Sequence, residues 1–303
     1  MAIDVEAFQE TLVHRVTATS AAIVADMDAL RRLDKAAEAR SARWNTGCGI
    51  SLIVLLLAFL GACVTFESKG ETPTLFEVLP IPALVAMGAS LLGGAVCWFM
   101  RKKVIQLDVE DKRYDLVTRL LHTLDDEIAP EIPLELTLDL HPTKSPEELD
   151  HTEQAGEWQV AYYINRWLEL HGRFKDATRF ELRMTETLED RTRPLAAGAE
   201  AGNAEIESEQ ISSTRATVVL WVEGREPAEL QALTRDAAAA ILLPELATFK
   251  GAKVEEGGLV VRVTTPVWNA PPPGQDDRNA SGTLLITEVL RGMRKLLGIP
   301  HPG

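Results

Sequence analysis

Two windows that lack any Asp, Glu, Lys, Arg or His, residues 44–66 and 78–100, constrain this chain more than any other feature of it. An α-helix rising about 1.5 Å per residue needs about 20 apolar residues to cross a hydrocarbon core of about 30 Å, and each window is long enough. The centre of the first, residues 50–60, is nearly continuous Leu, Ile and Val. Each such residue favours insertion by about 0.3–0.6 kcal/mol at a helix centre, with no charge opposing it. The second window is diluted by Gly, Ala and Ser. It ends in Trp98, Phe99 and Met100 beside Arg101, Lys102 and Lys103, an aromatic belt followed by cations. The two windows predict a transmembrane helical hairpin.

Cation placement predicts its orientation. Arg40 and Arg43, with further Arg and Lys upstream, precede the first window, and Arg101, Lys102 and Lys103 follow the second. The connecting residues 67–77 hold only Lys69 among Glu67, Glu71 and Glu77. The positive-inside rule then places both termini in the cytoplasm. Arg outnumbers Lys and Ala is abundant, a bias of GC-rich bacterial genomes, so the expected location is a bacterial inner membrane, with membrane lipid as the first partner. The first apolar run begins more than forty residues into a charged chain, unlike a cleavable signal peptide.

Ala86, Ser90 and Gly94 recur every four residues, with Ala89 and Gly93 beside them. Such a stripe lets another helix approach closely. Cys48, Cys63 and Cys97 lack the C-x-x-C spacing of a zinc or redox site and read as buried, inert thiols. No ionisable residue lies in either window, which argues against an ion path through this chain alone.

Upstream, Leu12, Val16, Ile23, Met27, Leu30 and Ala37 follow three- and four-residue steps without Gly or Pro, predicting one helix over residues 5–42. Downstream the pattern is mixed. Tyr114, Val117, Leu121, Leu124 and Ile128 trace a helix, and Ile132, Leu134, Leu136, Leu138 and Leu140 alternate with polar residues as a half-buried strand. A hairpin is expected around residues 175–178, a strand over 217–223, a helix over 227–243, a second hairpin over 252–265 and a last helix capped by Ser281. Residues 143–156, 194–213 and 269–282 read as loops.

The expected architecture is a membrane-anchored α+β protein. It comprises an N-terminal cytosolic amphipathic helix (1–43), transmembrane helices 44–66 and 78–100 joined by a short external loop (67–77), and a cytosolic domain (101–303). That domain has a largely antiparallel sheet with flanking helices and is divisible into two subdomains at 194–213.

The formal charge of -14 disfavours nucleic acid as a partner. No phosphate-binding loop, dinucleotide fingerprint, nucleophile elbow or zinc-protease helix is present, and no cofactor is implied. One constellation stands out: Asp139 with His141, and Glu169 with His171. Each pair has period-two spacing and so faces one side of a strand, and together the four are weak candidates for holding a divalent metal. The bland alternative is a solvated sheet face with cross-strand charge pairs. The expected function is a membrane-tethered, non-catalytic interaction or scaffold module, binding a protein partner or itself. The alternatives are a membrane-bound ligand or metal sensor or enzyme with a pocket in the C-terminal domain, and a subunit of an oligomeric membrane assembly.

Overall fold

The computed structural model describes residues 8, 10–67, 88–99, 111–194, 206–266 and 282–299. They form two compact units: Met1–Leu30 together with Glu110–Gly303, and Arg31–Val109.

The first unit is built on an eight-stranded, wholly antiparallel sheet with the order β1-β2-β4-β5-β6-β8-β7, and β3 pairing with β4 beside that path. The strands are β1 (Val13–Ala18), β2 (Leu134–Asp139), β3 (Leu149–Ala155), β4 (Trp158–Arg173), β5 (Arg179–Pro194), β6 (Ile206–Trp221), β7 (Thr248–Glu255) and β8 (Gly258–Thr265). Alternation drives the layering. Leu134, Leu136 and Leu138 of β2, Leu168 and Leu170 of β4, and Leu182 and Met184 of β5 are buried on one face, whereas Glu135 is exposed and Glu169 half-buried on the other.

The buried face meets helices. We label the helices α1 (Ser20–Glu67), α2 (88–99), α3 (Asp111–Thr123), α4 (Pro227–Leu233), α5 (Ala237–Ala240) and α6 (Gly282–Leu296). Helix α6 buries Leu285, Ile286, Val289, Leu290 and Met293 along one stripe and packs on β6, α3 and α5. Tyr114, Val117, Leu120, Leu121 and Leu124 do the same for α3. Such a stripe, repeating every three to four residues, is what seats a helix on a sheet.

Charged side chains pin this layer. Arg294, in the last turn of α6, donates to Asp176 Oδ2 at 2.8 Å and pairs with Glu127 Oε2 at 3.2 Å, its guanidinium lying 4.9 Å from the centre of the Phe174 ring. The β4–β5 turn is thereby tied to the helix end. Between β7 and β8 the turn is Glu256-Gly257, with φ of 50° and 77°. Positive φ at both central positions is the geometry whose twist suits a two-residue hairpin, and Gly adopts it without steric cost.

Several expectations are corrected here. Residues 13–18 are not helical: they form edge strand β1, pairing Val13↔Asp139 through Ala18↔Leu134. Val13, Val16 and Thr17 are β-branched and favour a strand, and a three-to-four spacing of apolar residues fits either element over so short a run. The helix starts afresh at Ser20, where Thr19 Oγ1 accepts from the amide of Ala22 at 3.4 Å. Residues 149–155, read as loop, are β3, and β6 begins at Ile206 inside another expected loop. The helix foreseen over 227–243 is two short ones, α4 and α5. Ser281 and residues 269–281 lie outside the described residues.

The transmembrane hairpin is also corrected, and with it the two-pass topology and the integral, inner-membrane placement. Among the described residues no helix is long and apolar enough to cross a membrane. The first window is the continuation of α1, a helix that begins in charged sequence at Ser20. Its aliphatic side chains are described from Ile50 to Leu57, which spans about 12 Å of helix rise. The second window is described only as α2, about 18 Å long at that rise. Residues 68–87 and 100–110 lie outside the described residues, and so do Ala86, Arg101, Lys102 and Lys103. Arg40 and Arg43 are exposed on α1, and the orienting role read for them lapses with the spans.

In the second unit α1 and α2 touch. Ser90 is buried, and Gly93, Gly94 and Cys97 are half-buried, at steps of three, four and seven. A Cβ on Gly93 would lie 3.4 Å from Ser51 Oγ, and one on Gly47 would lie 3.2 Å from Cys97 Sγ. Contacts 47–97 and 51–93 run in opposite directions along the two helices, so they are antiparallel. Ala89 is exposed, as are Leu52, Leu57, Leu91, Leu92 and Trp98.

Candidate functional site

The sheet face opposite Leu134, Leu136 and Leu138 carries the chemistry. On β4, Glu169 and His171 are two residues apart and share that face; on β5, Arg183 stands across from Glu169, and Glu181 across from His171. One further strand out, Glu135 of β2 pairs with His171. His171 Nε2 is 3.2 Å from Glu169 Oε1, and its Nδ1 is 3.9 Å from Glu181 Oε2. Arg183 Nε lies 3.3 Å from Glu169 Oε1 and forms a second ion pair with Glu181. Two carboxylates, an imidazole and a guanidinium thus form a checkerboard fixed by backbone ladders on both sides.

Toward the β4–β5 turn this face opens into a groove of about 600 Å³, lined among others by Glu135, His171, Arg173, Arg179, Trp221 and Glu256. Arg173 and Arg179 are direct cross-strand partners. Like charges so placed repel. Arg179 rests 5.8 Å from the centre of the Trp221 ring, and among the described residues neither guanidinium meets a carboxylate.

The four residues singled out from the sequence do not converge. Asp139 and His141 pair with each other at the end of β2, where Asp139 Oδ1 accepts from the His141 amide at 2.8 Å and lies 2.8 Å from its Nδ1. Their neighbour Glu148 has its carboxyl pushed up by burial and, secondarily, by the Asp139 charge. Glu169 and His171 belong instead with Glu181, and one ligand atom from each of these three lies within 4.8 Å of the others. Sequence reasoning missed Glu181 because residues 179–184 read as an inward strand whose polar members looked like solvent decoration. A turn at 175–178 would set Leu182 opposite His171; the observed register, Arg173↔Arg179, leaves one more residue in the turn and brings Glu181 there.

Beneath the other face lies a second polar cluster, also unforeseen. Arg113, fully buried at the start of α3, donates through Nη1 to the carbonyl oxygens of Asp139 (3.0 Å) and His141 (2.7 Å). Its Nη2 donates to Thr143 Oγ1 (2.9 Å) and Glu186 Oε2 (3.1 Å). Thr143 and Ser212 hydroxyls also donate to Glu186. This network satisfies the buried Arg113–Glu186 ion pair, so its role is to hold α3 on the sheet.

Comparison with protein-family models, with curated proteins and with solved structures finds no match. The functional reading therefore rests on the geometry of the open sheet face.

Proposed function

We propose that this chain is a binding module that acts through the His171 face of its sheet, without chemistry of its own. The observation that carries this reading is the groove in which Arg173 and Arg179 face each other and, among the described residues, neither pairs with a carboxylate, although Glu135 and Glu256 also line it. In a chain of net charge -14, two adjacent arginines with no carboxylate partner among the described residues favour a partner that brings its own anion. A carboxylate or phosphate can be held bidentately by the guanidinium fork, and Trp221 offers apolar area beside it. A protein partner presenting an acidic side chain next to an apolar one suits this lining.

The test is site-specific photocrosslinking of the full chain in its host cell. A benzophenone amino acid at Pro133 or Glu256, on the groove wall, should give a discrete adduct that disappears when Arg173 and Arg179 are both changed to Glu. The same probe at Lys112, exposed on α3, should give none. Equal labelling from Lys112, or indifference to the charge reversal, would sink the reading.

A second reading, a subunit of a homo-oligomer, is favoured by a separate observation. Ile50, Leu52, Leu57, Leu91, Leu92 and Trp98 are exposed on α1 and α2, and exposed apolar surface that forms a patch marks interaction sites. Light scattering on the wild type and on Leu57→Glu with Leu92→Glu checks it: the double variant should drop to the monomer mass.

A further inference from the structure

We infer that Glu169, His171 and Glu181 form a binding site for one divalent transition-metal ion, with the Arg183 guanidinium as its displaceable occupant. The geometry supplies the donors. An imidazole nitrogen and two carboxylate oxygens already lie within 4.8 Å of one another, and all three side chains spring from the paired strands β4 and β5, where ladder registers place Glu181 opposite His171. The backbone is braced on both sides by β2 and β6, so only side-chain torsions need change. In a tetrahedral site with bonds of about 2.0–2.2 Å the ligand atoms sit about 3.3–3.6 Å apart, a contraction within reach of small rotations about χ angles.

Burial of one member, Glu181, distinguishes this triad from ordinary surface charge. Glu181 is 5% exposed, and its Oε1 is held by the Arg183 guanidinium. A carboxylate taken out of water needs a compensating partner. Here that partner is Arg183, whose own side chain is 54% exposed. An ion pair with a half-exposed guanidinium is a weak hold compared with three coordinate bonds. Two carboxylates and one neutral imidazole suit Zn²⁺ and its first-row neighbours, whereas Mg²⁺ and Ca²⁺ favour all-oxygen sets. His171 also lines the groove, so a bound ion, with protein ligands on one side only, would present its open positions there.

The site is independent of the arginine-based reading of the groove, and the experiment addresses it alone. Full-length protein, carrying no polyhistidine tag and stripped with chelator, is titrated with ZnCl₂ by calorimetry near pH 7.5. One saturable event is expected, with Mg²⁺ giving none. His171→Ala should weaken it by more than the about 10- to 100-fold that follows loss of a merely supporting residue, and Glu169→Gln, at a half-exposed position that does not threaten folding, should weaken it too. Arg183→Gln should tighten it, because the competing cation is gone. His122→Ala, on α3, should leave it unchanged. Absence of a saturable event, an isotherm unaltered by His171→Ala, or weaker binding in Arg183→Gln would overturn the proposal.

Discussion

Arg113 shows how much one side chain can decide. It is fully buried, its guanidinium lies 5.5 Å from the centre of the Trp167 ring, and it reaches two carbonyls, a hydroxyl and a carboxylate across three segments of chain. Arg113→Met would strand the Glu186 charge and is expected to cost about 3–5 kcal/mol, whereas Arg113→Met with Glu186→Leu should recover much of that; a denaturant double-mutant cycle measures both. His14 supplies a pH dependence. It is buried, 3.5 Å from Asp26, and burial holds its imidazole below the ordinary range, with Asp26 partly offsetting. The unfolded chain therefore binds this proton more readily than the folded one. His14 contributes its full stability above about pH 6.5, and that contribution is lost as the pH falls through the depressed value. Urea midpoints between pH 7.5 and 5 should fall more steeply for the wild type than for His14→Gln, and parallel curves would refute the assignment. Neither residue announced itself in the sequence, because a lone Arg or His in a polar run carries no mark of the partners that long-range folding brings to it.

At the scale of elements, legibility followed the length and cleanness of a period. The alternation of Leu134, Leu136 and Leu138 identified β2, and the stripe Leu285, Val289, Leu290, Met293 identified α6, because each pattern fits one secondary structure only. The hairpin turns at 175–178 and 255–258 were legible from turn chemistry. Strand β1 was not, since its six residues sit ahead of a helix with the same apolar spacing. Strand β3 was not, because all seven of its residues are exposed and no apolar period marks it. For α1 and α2 the prediction concerns pairing. Cysteines replacing Ser51 and Gly93, in a chain whose native cysteines are changed to Ser, should form an intramolecular disulfide under mild oxidation, since a Cβ at 93 would lie 3.4 Å from the side chain at 51. A matched pair at Leu57 and Leu92, both exposed, should not, and equal cross-linking of both pairs would contradict the antiparallel contact.

For the whole molecule, the division into units at Leu30/Arg31 and Val109/Glu110 matters most. A chain with two separate sets of internal contacts has no reason to melt in one step. Scanning calorimetry should give a measured enthalpy larger than the van't Hoff enthalpy, and a ratio of one would argue for a single cooperative unit. By itself the sequence determined the α+β class, the antiparallel hairpins and most inward-facing residues, because these depend on local period and on which side chains water rejects. Only the tertiary structure decided that residues 13–18 close one edge of the sheet, that no described helix is long and apolar enough to cross a membrane, and that His171 meets Glu181 rather than His141. Each of these is a matter of register between distant segments, and register is set by the sum of many ladder and packing contacts that no single stretch of sequence contains.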